Sequence, residues 1–120
     1  MKKRTVVIGA SENPERYAFK ATKSLIQHGH PVFPVGLKRG TIENIQILLR
    51  EEIPEDIDTV SLYVGPAHQE AWKDYVFNLK PKRIILNPGT EGGIIEKEAI
   101  QKGIECLPAC TLVMLSTGQY

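Results

Sequence analysis

The chain reads as an α/β protein: a single doubly wound, Rossmann-like domain of three layers, with a parallel sheet covered by helices on both faces. Three observations predict it. Short runs of consecutive apolar residues such as Thr5-Val6-Val7-Ile8 and Arg83-Ile84-Ile85-Leu86 alternate with stretches of helical periodicity. These runs are β-branched and continuous rather than alternating polar with apolar, which is the pattern of strands buried on both faces. The connections are short and rich in glycine and proline, as right-handed βαβ crossovers require. At 120 residues one domain covers positions 1–120, with no room for separate cofactor and substrate domains.

The elements follow in order. Residues 5–9 form the first buried strand. From Arg16 to His28 the apolar positions Ala18, Thr22, Leu25 and Ile26 recur at helical spacing, and Gly29 sits where a left-handed C-cap belongs. Asn13-Pro14 reads as an N-cap followed by a first-turn proline, so the helix is expected to start at the strand-end turn. His30 to Val35 is a second strand bounded by prolines, followed by the basic loop Gly36-Leu37-Lys38-Arg39-Gly40. A weaker third strand lies near Ile45 to Leu48. Arg50 to Asp58 is a surface connection from which Ile53 and Ile57 point inward, and Thr59 to Val64 is the next strand. Gly65-Pro66 leads into a helix with Ala67, Ala71, Trp72, Tyr75, Val76 and Leu79 on one face, closed by Pro81. Arg83 to Asn87 is a strand with Pro88-Gly89 as its turn. Glu91 to Lys102 is a helix with its acids early, matching the dipole, and Gly103 caps it. Ile104 to Leu107 is a last short strand, and Pro108 to Tyr120 wraps as a tail.

Composition excludes several function classes. Charged residues make up 24% and the formal charge is +1, so no bulk field recruits nucleic acid or an anionic membrane. The aromatics are spread over the elements without basic residues interleaved, unlike a nucleic-acid platform. Met1-Lys2-Lys3-Arg4 is followed by an apolar run that stops at Gly9, so neither a signal peptide nor a spanning segment is expected, and the chain reads as cytoplasmic. Cys106 and Cys110 are the only cysteines and read as reduced. With His28, His30 and His68 they match no zinc spacing, so no metal site is expected.

In an open parallel sheet a ligand lies outside the carboxyl ends of the strands, where the strand order reverses. The strand-end turns are Gly9-Ala10-Ser11-Glu12-Asn13-Pro14, Pro34-Val35-Gly36-Leu37-Lys38-Arg39, Val64-Gly65-Pro66 and Asn87-Pro88-Gly89. Turn chemistry accounts for each glycine and proline taken singly. Their gathering on one edge, with two adjacent cations, points to a bound anion. Gly9 permits backbone angles closed to other residues, while Ala10 and Ser11 let a ligand approach the main chain. Lys38 and Arg39 stand where an NAD site would place Asp or Glu, which favours a ribose bearing an extra phosphate, in NADP or coenzyme A. Ser11 and Pro14 replace the second and third glycines of the dinucleotide fingerprint, which favours coenzyme A. The edge carries no paired carboxylates and no nucleophile–base couple, so no catalytic residue is expected.

At these residues the chain resembles the coenzyme A-binding domain family, small stand-alone bacterial proteins related to the N-terminal domain of the succinyl-coenzyme A synthetase α subunit. The resemblance runs from about Val6 to Thr111. Its carriers are Val7 to Ser11 with Asn13-Pro14 and Arg16, then Val32-Phe33-Pro34-Val35, Val64-Gly65-Pro66-Ala67 and Leu86-Asn87-Pro88-Gly89. It implies that Gly9, Ser11 and Arg16 contact the pyrophosphate, that Pro34, Val35 and Lys38 take the adenosine side, and that Gly65 and Pro66 meet the adenine or pantetheine. Asn87, Pro88 and Gly89 would line the pantetheine exit. The short loop after Val35 leaves either Lys38 or Arg39 for the 3′-phosphate. The tail lacks the arginine and asparagine that flank a cysteine-proline in many relatives. The synthetase's phosphorylated histidine sits on a second domain without counterpart here, so ligase activity does not carry over.

The expected function is therefore binding of coenzyme A or an acyl derivative. The alternative is an NADP-binding or acyl-coenzyme A-dependent enzyme component completed by a partner chain. The apolar tail Leu112-Val113-Met114-Leu115 could cover the core or an interface of a homo-oligomer.

Overall fold

The computed structural model describes residues 2–120; Met1, read above with Lys2 to Arg4, lies outside them. Five parallel strands form the sheet in the order β2-β1-β5-β6-β7: β1 (Thr5–Ile8), β2 (Val32–Val35), β5 (Thr59–Leu62), β6 (Arg83–Leu86) and β7 (Glu105–Pro108). Between β2 and β5 lies a small antiparallel hairpin, β3 (Thr41–Ile42) with β4 (Ile45–Gln46). The helices are α1 (Tyr17–Gln27), α2 (Lys73–Asn78), α3 (Ile94–Gln101) and α4 (Thr111–Ser116), and a 3₁₀ turn (Pro66–Ala71) precedes α2.

Strand alternation sorts the core into two layers. Val6, Ile8, Val60, Leu62, Ile84 and Leu86 pack with Trp72 at the start of α2, Tyr75 and Val76 of α2, and Ile95 and Ala99 of α3. Val7 and Val32 face the other way, onto Ala18 and Leu25 of α1 and Leu115 of α4. The three layers expected from the sequence are present. The β-branched runs form strands because each is enclosed on both faces: β1, β5 and β6 are buried at every position. Pro34 fits inside β2 because that strand is at the sheet edge. On its outer side it pairs with no full strand; the Leu48 N–H donates to the Pro34 carbonyl at 2.8 Å.

Several boundaries differ from the sequence reading. Helix α1 does not begin at Asn13-Pro14. The Asn13 side chain accepts the Glu15 N–H at 3.0 Å and its carbonyl accepts the Arg16 N–H at 3.0 Å, which closes a separate turn. Arg16 is then extended, at φ −78° and ψ 140°, and the helix starts only at Tyr17. Its other end is as expected: Gly29 at φ +80° donates to Ile26, and His30 donates to Leu25, a Schellman closure. Helix α3 begins at Ile94 rather than Glu91, since Gly92 at φ +80° cannot continue a helix. Glu91 instead accepts the Gly89 N–H at 2.7 Å.

The β2-to-β5 connection is the largest departure. It contains the β3–β4 hairpin and no helix, so strands and helices do not alternate throughout and residues 36–58 exceed the short connection expected. Ile57 is buried as expected but Ile53 is 51% exposed. Ala67 and Ala71 are exposed, because a tighter 3₁₀ turn rotates the apolar face and buries Gln69 in their place. The tail is not an irregular wrap: Thr111–Ser116 is a helix with Thr111 and Leu115 buried four residues apart. No helix among the described residues is long and apolar enough to cross a membrane.

Candidate functional site

All four sheet pairings are in register, so Ile8 lies level with Val35 and Leu62, Leu62 with Leu86, and Leu86 with Pro108. The strand-end turns therefore leave the sheet along one edge. The chain enters at β1, lays β2 on one side and β5 on the other, so the order reverses between β1 and β5. A cavity of about 640 Å³ opens there, as the rule for open α/β sheets requires.

Its floor is the close approach of two turns. Gly9 has φ +97°, and a β-carbon there would stand 3.2 Å from the Tyr63 carbonyl oxygen, so only glycine lets the β1 and β5 ends pack together. The N–H groups of Gly9 and Ala10 both donate to the Val35 carbonyl at 2.9 Å. They hold β2 in place and are already satisfied. The next two donors, the N–H groups of Ser11 and Glu12, have no acceptor among the described residues. The first unpartnered donors of this turn thus lie two residues beyond Gly9.

Gly9, Ala10, Ser11, Arg16, Lys38, Arg39 and Gly65 line the cavity. Asn13, Pro14, Pro34, Val35, Pro66, Asn87, Pro88 and Gly89 do not. Pro34 and Val35 are buried in β2, with Val35 at 0% exposure. Asn87 is also fully buried: its amide donates to Ser61 Oγ at 3.0 Å and to the Leu62 carbonyl at 2.9 Å, and its oxygen accepts the Thr111 N–H at 2.9 Å. It bolts β5 to the start of α4. Cys110, next to Thr111 in sequence, is free and stands at the N-cap position of α4 without a side-chain capping bond.

Sequence reasoning missed Glu12, Leu37, Ile47, Tyr63, Val64, His68 and Trp72, which complete the lining. Ile47 enters because the hairpin folds back over the edge, and Trp72 and His68 because the 3₁₀ turn brings them up. Only Glu12, Leu37 and Val64 lay within turns already singled out. Tyr63 follows β5 directly, and burial pushes its hydroxyl up to about 12.

The charges divide cleanly. Arg39 is bound to Glu52 at 2.7 Å and reaches the Ile47 carbonyl at 3.4 Å. That guanidinium and the Leu49 N–H hold the Glu52 carboxyl below the usual range. Arg16 and Lys38 have no carboxylate partner within 4.0 Å among the described residues. Glu12 is the one carboxylate of the lining, and it accepts the Thr41 N–H at 2.8 Å, pinning the hairpin to the first turn. The lining thus includes two cations without a carboxylate partner and two residues whose N–H groups have no acceptor among the described residues, a chemistry suited to a multiply charged anion. No hydroxyl or imidazole of the lining is hydrogen-bonded to a base among the described residues.

Fold and cavity together define the class: a Rossmann-like α/β domain with a basic cavity at its switch point. The model of the CoA binding domain matches residues 3–116. The chain belongs to the coenzyme A-binding domain family. The crystal structure of an uncharacterized protein, 42% identical, superposes with a TM-score of 0.94 over 100% of this chain and 99% of that one. A conserved hypothetical protein from Pyrococcus furiosus is 26% identical, with a TM-score of 0.80 over 92% of this chain and 97% of that one. A Thermus thermophilus structure at 21% identity and TM-score 0.84, covering 99% and 91%, shares the fold. No curated protein sequence matches the chain.

Proposed function

We propose that the protein binds coenzyme A or an acyl-coenzyme A in the cavity between the β1, β2 and β5 ends, and holds it without carrying out chemistry of its own. The observation that carries this reading is the pair of unpartnered cations, Arg16 and Lys38, beside the free N–H groups of Ser11 and Glu12. A diphosphate meets Arg16 and the two N–H groups. Lys38 rather than Arg39 is left for the 3′-phosphate, because Glu52 already neutralises Arg39. Leu37 and Trp72 supply the apolar walls that a purine needs beside that phosphate. On this reading the protein is a cytoplasmic holder of coenzyme A rather than an enzyme acting on it.

Thermal melting with coenzyme A, dephospho-coenzyme A and NADP tests this. Coenzyme A is expected to raise the melting temperature, the dephospho form to raise it less, and NADP least. Lys38→Ala is expected to weaken coenzyme A binding about tenfold, the worth of one charge-assisted contact. Equal shifts with all three ligands would remove the phosphate assignment, and no shift with coenzyme A would remove the reading itself.

A further inference from the structure

Beside Leu37 the cavity adjoins a second hollow of about 540 Å³, which shares Leu37, His68 and Trp72 with it. Ala67 and Ala71 extend its apolar wall, and Glu70 at its rim is held by Lys73 at 3.2 Å. A single guanidinium enters it, that of Arg50. Its central carbon lies 5.2 Å from the centre of a Trp72 ring, and Nη1 donates to the Ala71 carbonyl at 2.9 Å. No carboxylate pairs with it among the described residues.

A guanidinium has five N–H donors in a planar fork, and here one of them is used. Stacking and the carbonyl contact fix the plane, so the free donors are preorganised rather than swept through solvent. A charge held this way in a mostly apolar hollow, without a counter-ion, is suited to an anion arriving with an apolar group. The chain position gives no hint of it, since Arg50 opens the connection after the hairpin, outside every strand-end turn.

We infer that Arg50 is a specificity-determining residue of the site, binding the phosphate on the adenosine ribose together with Lys38. The inference rests on the coenzyme A reading, in which the ligand runs from Ser11 and Arg16 past Leu37 to Trp72. Lys38 supplies a mobile ammonium from the β2 loop; Arg50 supplies the fixed fork that distinguishes the phosphate from a hydroxyl.

Isothermal titration of the wild type, Arg50→Ala and Arg50→Lys with coenzyme A and dephospho-coenzyme A tests it. The wild type is expected to prefer coenzyme A at least tenfold. Arg50→Ala is expected to lose about tenfold on coenzyme A and almost nothing on the dephospho form, with Arg50→Lys recovering part of the loss. An equal loss on both ligands would overturn the assignment, because it would mean that Arg50 stacks on the base. No loss on either would overturn it as well. Equal wild-type affinities would refute the role of Arg50 while leaving the coenzyme A reading in place, whereas no binding of either ligand would refute both.

Discussion

Gln69 holds more of the site wall than any residue the sequence singles out. It is fully buried, its amide donates to the carbonyls of Val64 at 2.9 Å and Thr90 at 2.8 Å, and its oxygen accepts the Ile95 N–H at 3.3 Å. One side chain therefore fixes the Val64-Gly65 turn, closes the loop after β6 and caps α3 from another element. Gly93 is required beside it, since a β-carbon there would stand 2.3 Å from the Gln69 oxygen. Gln69→Leu keeps the volume but strands three buried backbone groups, so a loss of about 3 kcal/mol is expected in urea unfolding. A loss below about 1 kcal/mol would show that water satisfies those groups. Lys38 and Arg39 make the complementary point: identical in charge and adjacent in sequence, they part only because Glu52, thirteen residues beyond Arg39, folds back onto it.

The elements that were legible share a physical cause. Strands β1, β5 and β6 are buried on both faces, and such burial demands continuous β-branched runs that leave a clear trace in the chain. The C-terminus of α1 was legible because Gly29 is needed at positive φ. Of the hairpin only β4 was legible, within the weak strand read near Ile45 to Leu48; its turn was not, because Glu43 and Asn44 adopt φ +49° and +69° without a glycine to mark them. Nor was α4, whose six residues are too few to show a period. The cavity lining followed the same division: the β1 turn lay on the edge singled out from the sequence, while Ile47, His68 and Trp72 arrive through the hairpin and the segment of the 3₁₀ turn. Glu12 joins these two kinds of element, and Gly40 packs so closely on its carboxylate that a β-carbon would lie 2.4 Å away. Glu12→Ala is expected to speed amide hydrogen exchange across residues 36–48 while costing only about 1 kcal/mol globally. Unchanged exchange there would mean that the hairpin is held without Glu12, by Ile42, Ile47 and the Leu48 pairing with β2.

Over the whole molecule, parallel pairing in register brings the turns to one edge, and the reversal between β1 and β5 opens the cavity there. The same close packing shapes the pH response. Burial pushes the hydroxyls of Tyr63 and Tyr75 up to about 12 from an ordinary 10.0, and raises Tyr120 as well. The unfolded chain releases these protons at lower pH than the folded one. Stability is therefore intact below pH 10.0 and is lost as pH rises towards about 12. Urea unfolding followed from neutral to alkaline pH is expected to show that decline, with Tyr63→Phe and Tyr75→Phe each making it shallower. A flat profile across the window would mean that the phenols ionise as freely folded as unfolded.

The central claim, that the β1–β5 reversal is a coenzyme A site, is most directly tested by titrating coenzyme A into the ¹⁵N-labelled protein and following each amide resonance. The expected result is saturable shifts concentrated at Ser11, Glu12, Lys38 and Gly65, with the amides at the opposite ends of the strands, Thr5 and Arg83, unmoved. Shifts centred on that opposite edge, or none at saturating ligand, would contradict the account.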